Sequence, residues 1–178
     1  PWDGTRLVVA DASSPGDYAV IAGGDNESIV QPEWSPDGTL VFASDRSGWW
    51  NLYRRDGAET VPILEAEVEF AGPAWVFGES WYGFLSDGGI AAPFYEDGRN
   101  GFGIIGTDGA LRRIYLGFSD FGYHAITDGR QHVWFVGAGP DKPSAIVESN
   151  AASGVVSLVR SNTSIVDAGY VPSPQLVS

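Results

Sequence analysis

Short runs of β-branched and aromatic residues recur along the chain, and each closes on a turn dipeptide. No stretch sustains a 3.6-residue period long enough for a helix, so the pattern predicts strands throughout. Asp-Gly is the clearest punctuation, at Asp3-Gly4, Asp37-Gly38, Asp56-Gly57, Asp87-Gly88, Asp97-Gly98, Asp108-Gly109 and Asp128-Gly129. Both residues tolerate positive φ, which tight hairpins require. Seven such turns between hydrophobic runs predict a meander of antiparallel strands, not a parallel sheet fed by crossover helices.

Three of the turns share one context, an apolar strand, Asp-Gly, then another strand. They are Trp34-Ser35-Pro36-Asp37-Gly38, Phe84-Leu85-Ser86-Asp87-Gly88 and Ala125-Ile126-Thr127-Asp128-Gly129, spaced 50 and 41 residues apart. A period of roughly 40 to 50 residues with four short strands per unit is the signature of β-propeller blades. The pattern therefore predicts strands near 29–34, 39–44, 50–55 and 59–64, then 80–86, 89–95, 102–107 and 110–116, then 122–127, 131–137, 144–149 and 154–160. Two earlier strands, about 5–11 and 18–22, make half a blade.

The predicted fold is thus all-β, a β-propeller fragment of about three complete four-stranded antiparallel blades plus half a blade. Residues 1–170 form it, with the half blade at 1–28 and blades at about 29–70, 71–118 and 119–164; residues 171–178, holding Pro172 and Pro174, read as a connector. Three and a half blades do not close a ring, whose usual minimum is about four. The remainder is expected either from a longer parent chain or from another copy, since two copies in a two-fold dimer would bring the count to seven. Uncovered blade faces and unpaired edges predict aggregation or self-association of the isolated piece.

Composition narrows the partners. The 178 residues amount to a single domain, with 10 Lys+Arg against 23 Asp+Glu and a net charge of −13; the single lysine is Lys142. That charge repels phosphate backbones and anionic lipid, so neither nucleic acid nor a membrane surface is an expected partner. Hydrophobic residues at 43%, with 24 Gly and 11 Pro, indicate a folded, turn-rich chain. The absence of Cys excludes disulfides, thiolate metal sites and a cysteine nucleophile. A chain that opens at Pro1 and lacks Met is expected to be a processed product or an excerpt, and no apolar run approaches the ~18 residues of a membrane span.

The most informative run is Gln31-Pro32-Glu33-Trp34-Ser35-Pro36-Asp37-Gly38, continuing to Ser44-Asp45-Arg46-Ser47-Gly48-Trp49-Trp50-Asn51-Leu52-Tyr53-Arg54. With Pro1-Trp2-Asp3-Gly4-Thr5, Gly23-Gly24-Asp25-Asn26-Glu27-Ser28-Ile29 and Gly72-Pro73-Ala74-Trp75-Val76-Phe77-Gly78, it resembles the propeller domain of the prolyl oligopeptidase family of serine peptidases. The similarity is to the bacterial acylaminoacyl-peptidase and dipeptidyl-aminopeptidase-like branch, and runs from Trp2 to about Val171. The resemblance implies the C-terminal half of an N-terminal propeller, followed in the parent by an α/β-hydrolase domain with a Ser-Asp-His triad beyond Ser178. It further implies a cytoplasmic protein, no cofactor, and a propeller that gates the access of peptide substrates to that catalytic domain. The alternative is a TolB-like propeller that binds or scaffolds a protein partner with no hydrolase attached. A propeller lactonase would need a metal held by Glu, Asn and Asp near the axis, and no such set can be assembled.

Within the chain itself no catalytic residue is expected. A nucleophile elbow needs Gly-x-Ser-x-Gly, and the nearest approach, Gly117-Phe118-Ser119-Asp120-Phe121-Gly122, has one residue too many and no helix after it. His124 and His132, the only histidines, sit in strand-like runs and read as packed or edge imidazoles; two histidines without a third ligand make no zinc site. Asp25-Asn26-Glu27 reads as a solvated loop rather than a calcium loop. Glu65, Glu67 and Glu69 alternate with apolar residues, so their carboxylates share a face if extended; the row either keeps a connector soluble or meets a peptide amine. Gly101-Phe102-Gly103-Ile104-Ile105-Gly106 lacks the helix a dinucleotide site needs, and its glycines are read as permitting close packing.

Aromatics supply the candidate binding residues. Trp49 and Trp50 are adjacent on a hairpin and point to opposite faces, so one of them is available for a ligand or interdomain contact. Arg46 is the third candidate, read first as a turn-stabilising partner of Asp45 and second as a substrate contact. Trp34, Trp75, Trp81 and Trp134 are expected to fill the space between blades.

Overall fold

The structure, a computed structural model, describes residues 3–122, 124–162 and 168–170, and the predicted connector at 171–178 lies outside the described residues. The chain divides into two compact units, Pro1–Gly78 and Glu79–Ser178. All sheets are antiparallel, with strands in chain order.

In the first unit, β1 (Arg6–Ala10) pairs with β2 (Tyr18–Gly23), and β3 (Ile29–Trp34), β4 (Leu40–Ser44), β5 (Asn51–Asp56) and β6 (Glu59–Pro62) form a four-stranded sheet. Five consecutive residues of β4 are buried, the mark of a strand covered on both faces. Phe42, with no exposed surface, stacks on Tyr53 at 6.2 Å within a cluster of Leu7, Ala22 and Leu40. The Ser35–Thr39 turn explains its sequence: Gly38 N–H donates to Ser35 C=O at 2.9 Å and Gly38 adopts a φ of 85°. Asp37 Oδ1 accepts the Thr39 N–H at 3.1 Å and is also bonded by the Ser35 hydroxyl. These bonds, the Ser35 one first, hold the Asp37 carboxyl below its ordinary range.

The second unit holds two four-stranded sheets. The first comprises β7 (Gly83–Phe84), β8 (Ile90–Glu96), β9 (Arg99–Ile105) and β10 (Leu111–Ile114). The second comprises β11 (Ala125–Thr127), β12 (His132–Gly139), β13 (Lys142–Asn150) and β14 (Val156–Ser161), and a 3₁₀ turn at Ala168–Tyr170 follows. Asp97 and Gly98, with φ of 49° and 75°, close the β8–β9 hairpin as a two-residue loop between paired Glu96 and Arg99, the conformation Asp-Gly favours. Phe102, Phe121 and Phe135 meet at centroid distances of 5.3 to 5.7 Å, in a core shared with Leu85, Val133 and Val147. A Cβ on Gly101 would stand 2.3 Å from Phe94 Cζ, so this glycine serves packing, as read from the sequence.

The predicted first strands of these two sheets are cut to half their expected length or less. The run 80–86 pairs within its sheet only at Gly83–Phe84, because Ser80 bridges to His124 and Ser86 N–H donates to Arg130 C=O. The run 122–127 is reduced to Ala125–Thr127, since Ala125 N–H donates to Ser80 C=O. The first strands of these two sheets thus bond to one another's flanks. Gly83 permits this approach: its Cβ would lie 2.5 Å from Thr127 Cγ2.

Two expectations for tryptophan are corrected. Trp34 is 62% exposed rather than packed between sheets. An extra residue between Val30 and Glu33 bulges β3, with Gln31 at φ 47° and Pro32 unable to donate to the ladder, and this inverts the side-chain alternation before Trp34. Trp75 is 68% exposed because it lies in a loop, outside any strand and so without a sheet face. Trp81 and Trp134 are half-buried.

Two predictions follow from this packing. Phe42→Ala should cost about 3–5 kcal/mol of unfolding free energy, whereas Trp34→Ser should stay within about 0.5 kcal/mol, both read from urea denaturation. Asp37 contributes through a depressed folded pKa, so its stabilisation is present above the unfolded value near 3.9 and is lost as pH falls through the lower folded value. Thermal melts of wild type and Asp37→Asn should therefore differ at neutral pH and converge under strong acid.

Candidate functional site

The β4–β5 connection, Ser44 to Asn51, carries the sequence-predicted site residues, and nearly every polar group in it is committed to folding the turn. Ser44 is buried and its hydroxyl donates to Glu27 Oε1 at 2.7 Å. Arg46 reaches the same oxygen, through Nε at 2.9 Å and Nη2 at 2.8 Å, while its guanidinium lies 5.1 Å from the centre of the Tyr53 ring. Arg46 therefore pairs with Glu27 and not with Asp45, as the sequence reading had it. Asp45 instead turns its Oδ1 to the Ser28 N–H at 2.7 Å, because that donor sits at the start of the neighbouring strand.

Beyond Asp45 the turn closes on itself. Gly48, at φ 88°, donates its N–H to Asp45 C=O at 2.8 Å, and the Ser47 hydroxyl donates to Trp49 C=O at 3.1 Å. Trp50 N–H donates to Glu69 Oε2 at 2.6 Å, and Phe70 N–H returns to Trp50 C=O at 2.7 Å. Asn51, fully buried, donates through Nδ2 to Ala66 C=O at 3.1 Å and to Val68 C=O at 2.8 Å, and accepts the Ala66 N–H at 2.8 Å. Of the predicted binding residues, Trp49 is 37% exposed and Trp50 half-buried.

The same bonds revise the acidic readings. Glu69 is tied to the Trp50 backbone, so Glu65, Glu67 and Glu69 do not form an open row of three carboxylates; Glu65 and Glu67 alone are exposed. Glu27 belongs to the turn network rather than to a solvated loop, while Asp25 is exposed and pairs with Arg6 at 3.1 Å. His132 Nδ1 lies 3.3 Å from Glu148 Oε1 and 3.7 Å from Asp128 Oδ2, with Trp134 edge-on at 6.0 Å. Burial alone would raise the Asp128 carboxyl, but the N–H groups of Arg130 and His132 and the charges of those residues bring it below its usual value. Among the described residues no group of three or more His, Asp or Glu is placed to hold a metal ion.

None of the predicted binding residues lies in the Gly72 to Gly78 motif. Trp75, Val76 and Phe77 stand exposed there, Phe77 entirely. The signal was present: from Phe70 to Gly78 the chain carries no charge, in a protein of net charge −13.

If Asn51 organises this connection, Asn51→Ala should destabilise by at least about 2 kcal/mol, since each buried group left without its partner costs roughly 1–3 kcal/mol. Phe77→Ser, at a fully exposed side chain, should change stability by no more than about 0.5 kcal/mol. Equal loss in the two variants, measured by urea unfolding, would contradict the assignment.

No family model and no curated protein matches the chain. Solved structures do. Puromycin hydrolase superposes with a TM-score of 0.88 and 33% identity, over 99% of this chain and 27% of its own. A puromycin-hydrolyzing peptidase of Mycobacterium tuberculosis gives 0.86 and 28%, over 98% and 27%. A prolyl endopeptidase shares the fold, with a TM-score of 0.70 at 10% identity over 93% of this chain and 24% of its own. This chain thus spans about a quarter of the length of the proteins it matches.

Proposed function

This chain is homologous to the propeller part of prolyl oligopeptidase-family peptidases, and we propose that it is a non-catalytic wall gating an α/β-hydrolase active site carried elsewhere on a longer parent. The observation that carries the reading is identity of 32–33% across 99% of this chain with a hydrolase more than three times as long. The substrates proposed for the parent are small peptides and aminoacyl amides, the class to which puromycin belongs.

Two uncovered sheet faces support a parent with further blades. On β1–β2, Val8, Val20 and Tyr18 share one exposed face, opposite the face that packs on Phe42. On the β11–β14 sheet, Ile126, Val136 and Ile146 are exposed on the face opposite Phe135 and Val147. Apolar faces of this kind are completed by another sheet.

The isolated 178-residue chain should hydrolyse neither puromycin nor an aminoacyl-nitroanilide, while the parent should cleave both and lose activity to a serine-directed inhibitor. Turnover by the isolated chain that the inhibitor abolishes would overturn the non-catalytic role. The gate is tested in the parent by substrate size: short peptides should be cleaved and a folded protein spared, and equal cleavage of both would overturn it. Light scattering of the isolated chain should show concentration-dependent self-association; a strict monomer with a sharp, concentration-independent melt would contradict the open faces.

A further inference from the structure

The connection that follows β10 and the strands β13 and β14 enclose a cavity of about 390 Å³ within the second unit. Leu116 and Ala145 are buried in its walls, Phe118 and Val156 half-buried, and Lys142 and Ser161 exposed at its rim. Ala145 lines it and the adjacent Ile146 does not, which places it on the side of the sheet opposite the exposed Ile126, Val136 and Ile146. A further blade laid on that exposed face does not fill it. The volume falls in the lower part of the range of roughly 300–1,000 Å³ that small-molecule sites occupy.

Polarity is graded along the cavity. Ser161 pairs with Ala145, and Asn162 N–H donates to Ser144 C=O at 3.2 Å, so the end of β14 lies beside the start of β13, where Lys142 stands. The two polar lining residues therefore share one end, while Val156, opposite Ser149, marks the other. Lys142 is the single lysine of the chain, and among the described residues no carboxylate pairs with it. Its ammonium donates to Gly117 C=O and lies 5.2 Å from the centre of the Phe118 ring. An ammonium has three N–H donors, so two remain for a ligand. A cation would be repelled there, and a neutral apolar molecule would leave those donors without an acceptor. We propose that the cavity binds a small apolar monocarboxylate, its hydrocarbon body against Leu116, Phe118 and Val156 and its carboxylate on Lys142. The site stands apart from the peptidase reading and does not depend on it.

The test uses the full-length protein that contains these residues and reads binding by isothermal titration calorimetry, with octanoate, 1-octanol and acetate as probes. Octanoate should bind saturably, and octanol and acetate at least about tenfold more weakly, because each lacks one half of the match. Lys142→Met keeps the apolar stem and removes the charge; it should weaken octanoate by about tenfold or more and leave octanol within about twofold. Lys142→Arg should retain most of the affinity, and Leu158→Ser, in the lining of the same cavity, should weaken octanoate several-fold. Lys142 and Leu158 are both exposed, so the melting temperature of the unliganded variants should not move. Absence of saturable octanoate binding in a protein that melts cooperatively, equal binding of octanoate and octanol, or octanoate binding that survives Lys142→Met would each overturn the proposal. None of these results touches the peptidase reading, which is decided by substrate turnover.

Discussion

Sheets built from strands of two to nine residues require the chain to reverse within a few positions, and one hydrogen bond recurs at four of these reversals. An aspartate carboxylate oxygen accepts the N–H two residues ahead: Asp37 from Thr39 at 3.1 Å, Asp87 from Gly89 at 3.0 Å, Asp108 from Ala110 at 3.0 Å and Asp128 from Arg130 at 2.7 Å. The glycine after each aspartate takes positive φ, as Gly38, Gly88, Gly109 and Gly129 do. The side chain satisfies a backbone donor that the sheet cannot reach, and the glycine supplies the conformation that other residues resist. With the reversals fixed locally, strands lie beside their sequence neighbours, and every sheet keeps chain order.

This explains why the all-β architecture was legible before any coordinates. Turn chemistry and period-two alternation are local, so Asp-Gly spacing located β4, β5, β8, β9, β12 and β13 within a few residues. What was illegible depends on contacts between strands. The β3 bulge at Val30 to Glu33 inverts the alternation and carries Trp34 into solvent, and only the pairing with β4 reveals it. The shortening of β7 and β11 likewise follows from Ser80 and Ser86 bonding to Ala125 and Arg130, residues roughly 45 positions away.

The Ser44 to Asn51 turn was legible as a motif but not in its purpose. Ser44, Asp45, Arg46, Gly48, Trp50 and Asn51 each hold Glu27, Ser28, the turn backbone or the 66–70 segment. Such a run resembles a binding site in sequence because folding and recognition draw on the same residue types. The distinction is made by asking which polar groups are already satisfied: Arg46, with Glu27 at 2.8 Å and the Tyr53 ring beneath it, must give up both contacts to reach a ligand. Redirecting it would also leave the half-buried Glu27 carboxylate with a single partner in Ser44.

Exposed apolar surface is of two kinds here. Val8, Tyr18 and Val20 lie on one face of a sheet at alternate positions, as do Ile126, Val136 and Ile146 on another; a flat, periodic surface is complemented by a second flat surface, with sheets about 10 Å apart. Trp75, Val76 and Phe77 are consecutive in a loop outside any strand, so they present no alternating sheet face. The geometry of exposure thus separates flat surface that another sheet can complete from an apolar loop that presents no sheet face, even though both are built from the same residue types.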